Sequence, residues 1–172
     1  MKRLGVIVAL GALLGLFGGV VTASPALARG PKWQFVPKSP RTLPAVLCGF
    51  EIRVTFPVNR EFEKILKASD GTRIGLFTGS VIDSFTNLEN GKTITENVSG
   101  PSKTIGFPDG SFTTMENGPN EVILTPAQAA RFGLPAVGVL DGRRTTSVAA
   151  DGSITSMSFH GHVVVDVCAA LS

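Results

Sequence analysis

The sequence predicts an all-β fold: a single antiparallel β-barrel, or alternatively a β-sandwich, of about eight strands with one or two short helices, closed by one disulfide. Three observations carry this. Within Val46–Pro57, Phe50, Ile52, Val54 and Phe56 alternate with Glu51, Arg53 and Thr55, the two-residue period of a strand with one buried face. Tight-turn dipeptides then punctuate the chain: Asp-Gly at 70–71, 109–110, 141–142 and 151–152, and Asn-Gly at 90–91 and 117–118. Both dipeptides tolerate the positive φ that hairpin turns demand. Finally, the only two cysteines sit at the two ends of this pattern. Cys48 opens the first strand and Cys168 follows the last apolar run, Val163–Val167.

Residues 1–28 read as an export signal. Lys2 and Arg3 form a basic head, Leu4–Val21 is uncharged, and Ala26-Leu27-Ala28 supplies the small-x-small pattern for cleavage between Ala28 and Arg29. A membrane anchor is the alternative, because about eighteen apolar residues can just span a bilayer. Five glycines dilute the run and a cleavage site follows it, so secretion is expected, with no membrane span after cleavage. Residues 29–44 hold Pro31, Pro37, Pro40 and Pro44 with Arg29, Lys32, Lys38 and Arg41, the composition of an extended basic linker. Trp33 and Phe35 alternate and could dock on a sheet edge, but the composition favours a loose tail. Residues 45–172 form the single β domain.

After the first strand, Val58, Phe62, Ile65 and Leu66 fall at helical spacing and Glu63 precedes Lys67 by four. A two-turn helix ending near Asp70-Gly71 fits, with a strand as the alternative. β-rich runs follow at 73–88, 92–99, 103–107, 111–116, 121–124, 137–148 and 153–167. The first of these has apolar residues on both parities, so Gly75 or Gly79 marks a bulge. Asp141-Gly142 is either a turn or a bulge within one long strand. One helix is well signalled: Thr125 suits the N-cap, Pro126 the first turn, Gln128 completes a capping box and Gly133 ends it.

In an eight-strand up-and-down order the start of the first strand and the end of the last share one end of the sheet. Closure would bring Cys48 and Cys168 to the Cα separation of about 5.5 Å that a disulfide needs. Two cysteines in an exported chain point the same way, with two free buried thiols as the alternative. Val163, Val165 and Val167 share a parity that Cys168 does not, which places the bond just beyond the last ladder pair.

Charge and motifs narrow the function. Without Lys2 and Arg3 the chain has 14 basic and 13 acidic residues, and residues 45–172 have 10 against 13. Nucleic-acid binding needs clustered positive charge, so it is a poor fit. His160-Gly161-His162 places two imidazoles on one face of a strand, with Asp166 on the same parity. Polar residues on the wet face of the last strand explain them more simply, and no metal or other cofactor is expected. No nucleophile elbow, phosphate loop or dinucleotide fingerprint is present; Gly79-Ser80, Gly110-Ser111 and Gly152-Ser153 suit turns or bulges. Trp33 is the only Trp and Tyr is absent, which disfavours sugar stacking.

C-G-F-E-I-R-V at 48–54, F-T-N-L-E-N-G-K-T-I-T-E-N-V-S-G-P at 85–101 and D-V-C-A-A-L at 166–171 resemble a group of small exported actinobacterial proteins. The resemblance covers most of residues 46–172 and implies a secreted β-rich protein without an assigned activity. It brings no catalytic motif. The expected function is non-enzymatic binding of a small apolar ligand or a cell-envelope partner. The rival is a cyclase- or isomerase-like barrel enzyme whose interior holds carboxylates drawn from Glu51, Asp83, Glu96 and Asp166, with Arg53 beside them.

Overall fold

The computed structural model describes residues 30–172; the export signal expected at 1–28 and its expected cleavage point, Ala28 and Arg29, lie outside the described residues. Nine strands and two short helices follow in order: β1 (Gln34–Phe35), β2 (Arg41–Leu43), β3 (Ile52–Lys67), β4 (Arg73–Asn87), β5 (Thr93–Asn97), β6 (Ser102–Gly106), β7 (Phe112–Ile123), α1 (Pro126–Phe132), β8 (Val137–Val148), β9 (Ile154–Asp166) and α2 (Val167–Leu171). All strands belong to one antiparallel sheet in the order β1-β3-β4-β6-β7-β8-β9, with β2 also on β3 and β5 also on β4.

The sheet is open. Among the described residues no ladder joins β9 to β3, so the hydrogen-bonded barrel expected from the sequence is not formed. The reason lies in the stretch expected as a linker, whose described residues, 30–44, are not loose over their whole length. Gln34 and Phe35 pair with Glu63 and Phe62, and Arg41–Leu43 pair with Ile52–Val54. These segments occupy the edge of β3 that a closing strand would need. The Phe35 and Phe62 rings meet edge to face at 6.0 Å, and Asn59 Nδ2 donates to the Val36 carbonyl at 2.9 Å.

The helix expected around residues 58–72 is also overturned. Val58–Lys67 pair residue by residue with β4, down to a turn in which the Asp70 carboxylate accepts from the Thr72 N–H at 2.9 Å. The register slips between Thr55 and Val58, leaving Phe56-Pro57 as a bulge opposite Asp83. Pro57 thus sits where a missing N–H costs no ladder bond. Asp-Gly at 109–110 and 151–152 and Asn-Gly at 90–91 form turns as expected, with Asp109, Asp151 and Asn90 accepting from the N–H two residues on. Asn117-Gly118 and Asp141-Gly142 do not turn; they lie in the middle of β7 and β8.

There Gly118, Gly142 and Gly161 stand opposite one another across three strands. Gly142 has φ +145°, and a Cβ added to it would lie 2.3 Å from the His160 carbonyl oxygen. Only glycine permits this close approach of the three backbones. Beyond these glycines, β8 is covered on both faces. Val137 and Val139 join Leu43, Phe50, Ile52, Val54, Phe85, Val167 and Leu171 in the main core. Leu140 joins Val122, Leu124 and Ala129 in a second core under α1.

Both helices are pinned by their caps. Thr125 Oγ1 accepts from the Gln128 N–H, the Gln128 side chain accepts from the Thr125 N–H, and Gly133 ends α1 in the left-handed region, as the sequence predicts. Asp166 caps α2 by accepting from the Ala169 N–H. Cys168, on α2, is bonded to Cys48 with Cα atoms 5.1 Å apart, two residues past the last ladder residue Asp166. Asn87 and Asn90 both donate to the Leu171 carbonyl at 3.0 Å, which ties α2 to the β4–β5 turn.

Candidate functional site

Two hollows adjoin on one face of the sheet. The larger, about 390 Å³, is a groove walled by Ile65, Phe77, Phe107 and Phe112 over a floor that includes Gly75 and Gly106. Ladder pairs Gly75↔Thr104 and Gly106↔Phe112 place these residues on one face of β4, β6 and β7. Glycine leaves the space that the aromatic rings enclose. The smaller hollow, about 200 Å³, shares Phe112 and continues over Thr114, Thr146, Met157 and Arg144. Arg144 is nearly buried; its Nη2 donates to Glu116 and to the Glu121 carbonyl, each at 2.8 Å, and its Nε also pairs with Glu116. Its Nη1 has no hydrogen-bond partner.

A third pocket of about 180 Å³ is of opposite character. Lys38, Glu61, Asp83, Ser102, Glu116, Asn120 and Glu121 line it, beside Val98 and Gly100. Asp83 shares its β4 parity with Val81 and Phe85 and is only 2% exposed. Ion pairs account for the other acids. Lys38 meets Glu61 at 3.1 Å, Arg41 pairs with Glu121, and Arg144 with Glu116. Asp83 has no such partner: its Oδ1 is buried without a hydrogen bond, as is Oε1 of Glu121. Burial first, and then the Glu121 charge, raise the Asp83 pKa from 3.8 to about 6, against the weaker opposite pull of Lys38 and Arg41.

Of Glu51, Arg53, Asp83, Glu96 and Asp166, the structure brings together Asp83 and Glu96, which are ladder partners on β4 and β5. Asp83 lines the polar pocket and Glu96 does not; Glu51 and Arg53 are exposed and Asp166 is the α2 cap. His160 and His162 lie exposed on β9, opposite Arg143 and Asp141. No cluster of three or more metal-ligating side chains forms among the described residues. Ser80 is exposed, and the Ser111 hydroxyl donates to Asp109 within its turn. Trp33 is half-exposed beside β1.

Sequence reasoning missed the groups that surround Asp83. Lys38 and Arg41 come from the stretch read as a linker, and Glu61 from the stretch read as a helix. Glu116 and Glu121 fall on opposite parities of β7, so alternation alone cannot bring both to one pocket. One signal was legible: Val81, Asp83, Phe85 and Asn87 share a parity, and a lone acid on an apolar parity is a buried acid. Comparison adds no identity: a scan against protein-family models finds no match, and searches of curated proteins and of solved structures find none either.

Proposed function

We propose that this is an exported, non-enzymatic β-protein that carries a small ligand, mostly apolar, in the groove between β3, β4, β6 and β7. The observation that carries the reading is the groove itself: about 390 Å³ walled by Ile65, Phe77, Phe107 and Phe112. That volume lies within the range of small-molecule sites, which are concave and mainly apolar. The adjoining hollow adds the Thr114 and Thr146 hydroxyls and the Arg144 guanidinium, so a ligand with one polar end fits the pair. In this reading the sheet works as an unclosed barrel, with a disulfide in place of the closing ladder. Export, cleavage between Ala28 and Arg29, and kinship with small exported actinobacterial proteins belong to the same proposal. A cell-envelope partner is the alternative cargo.

The enzyme reading has one observation in its favour, the buried acid Asp83 with its raised pKa. The groove contains no such group; Arg73 is its sole ionisable lining residue. Native mass spectrometry of protein purified from its own secretion medium tests carriage. A co-purifying small molecule that is lost from Phe112→Ala supports it. A protein that is reproducibly empty, and whose groove fails to take up a fluorescent apolar probe, overturns it.

A further inference from the structure

The polar pocket poses a question of charge balance. Four carboxylates, Glu61, Asp83, Glu116 and Glu121, meet three cations, Lys38, Arg41 and Arg144. Each cation is spent on one acid, and Asp83 is the acid left over. Its side chain is almost wholly buried, and its Oδ1 lacks any donor. Leaving a buried carboxylate without a donor is costly, so such a group either holds a proton or meets a cationic partner.

Among the side chains that line the pocket, the other free groups are acceptors as well; the unpartnered Nη1 belongs to Arg144, which lines the adjoining hollow instead. Oε1 of Glu121 has no donor. Asn120 spends its Nδ2 on the carbonyls of Asn117 and Gly118, at 3.3 and 3.2 Å, which leaves its Oδ1 as the free end of the amide. The Lys38 amine, the one cationic donor lining the pocket, is held by Glu61. A surplus negative charge and free acceptors describe the complement of a cation rich in N–H donors. The space of about 180 Å³ admits roughly six groups of water size, at about 30 Å³ each.

We propose that the pocket bounded by Asp83, Glu121 and Asn120 binds the ammonium group of a small primary amine. The cation supplies the missing fourth positive charge, and its N–H groups are shared between the Asp83 carboxylate and the free acceptors beside it. The pocket shares no lining residue with the apolar groove, although Glu116 and Glu121 also line the adjoining hollow, and it does not rest on the carriage reading. Three surrounding pairs set its chemistry: Lys38–Glu61 on the side of β1–β3, Arg41–Glu121 from β2 across to β7, and Arg144–Glu116 on β7 and β8. A proton is the natural competitor for Asp83, so amine affinity rises with pH until the carboxyl is fully ionised.

Isothermal titration of the whole exported chain with ethanolamine tests this, since ethanolamine is cationic throughout pH 5–8. Tetramethylammonium, a cation without N–H groups, and ethylene glycol, which is neutral, are the controls. With the Asp83 pKa near 6, binding at pH 8 should weaken about tenfold at pH 5. At pH 6, about half a proton should be released per ethanolamine bound. Asp83→Asn should lose binding at both pH values, and Glu89→Gln, which removes an exposed acid elsewhere, should keep it. Circular dichroism and melting of Asp83→Asn establish that the variant is folded. Tetramethylammonium binding as well as ethanolamine, affinity independent of pH, or retained binding by folded Asp83→Asn would each overturn the assignment.

Discussion

Asp83→Asn should stabilise this protein at neutral pH. The folded-state pKa of Asp83 is raised from 3.8 to about 6. Below pH 3.8 the carboxyl is protonated in both folded and unfolded chains, and it costs nothing. Between 3.8 and 6 the unfolded chain ionises first, so stability falls as pH rises. Above 6 the loss is constant, at about two pKa units or about 3 kcal/mol. Asparagine keeps the shape and cannot ionise, so it removes that loss. Glu121, whose Oε1 is unpartnered, lines the same pocket as the new amide. The variant should therefore exceed the parent by about 3 kcal/mol at pH 8, on the order of 10 °C in melting temperature for a domain of this size. The gap should shrink toward zero near pH 4. Asp70, Asp109 and Asp151 have the opposite shift, their pKa values lowered by hydrogen bonds from Thr72, Ser111 and Ser153, and they cancel between parent and variant. Urea unfolding of both proteins across pH 4–8 gives the comparison. A difference that does not change with pH, or a variant less stable at pH 8, would refute the buried, unpartnered placement of Asp83.

Three further outcomes are expected. Replacing Cys48 and Cys168 by Ser should cost about 5 kcal/mol, the chain-entropy value for a loop of 120 residues, and thiol titration of the denatured, unreduced parent should find no free thiol. Gly142→Ala should cost several kcal/mol, because its Cβ would meet the His160 carbonyl oxygen at 2.3 Å on a backbone that disfavours a side chain; an unchanged urea midpoint would show that this close approach has slack. Intact-mass measurement of exported protein should give a chain beginning at Arg29, and a full-length, membrane-retained chain would instead favour an anchor.

Local signals were legible in the sequence wherever one residue determines one conformation. The Thr125-Gln128 capping box, three of the four Asp-Gly turns, the Asn90-Gly91 turn and the placement of Cys168 past the last ladder pair are of this kind. Features that depend on which edge is vacant were not legible. Closure was expected from strand number and cysteine position, but β1 and β2 take the edge of β3. Their sequence is proline-rich, and nothing in it says that two or three ladder pairs suffice to hold it. The 58–67 stretch misled because Val58, Phe62, Ile65 and Leu66 satisfy a helical period, while a slip at Phe56-Pro57 breaks the alternation that would have revealed a strand. The acid pocket depends on both errors, since Lys38, Arg41 and Glu61 reach Asp83 from those two segments.

The disulfide also divides the molecule mechanically. Cys48 and Cys168 close a covalent ring, so a pull on the N-terminal segment and on Ser172 passes through sulfur and leaves β4–β9 unloaded. Residues 30–47 lie outside the ring, carrying β1 and β2 on two and three ladder pairs. Under tension they are the part that peels away, and they take Lys38 and Arg41 with them. Force on the N-terminal segment would thus strip two counter-charges from around Asp83 while the ring stays folded.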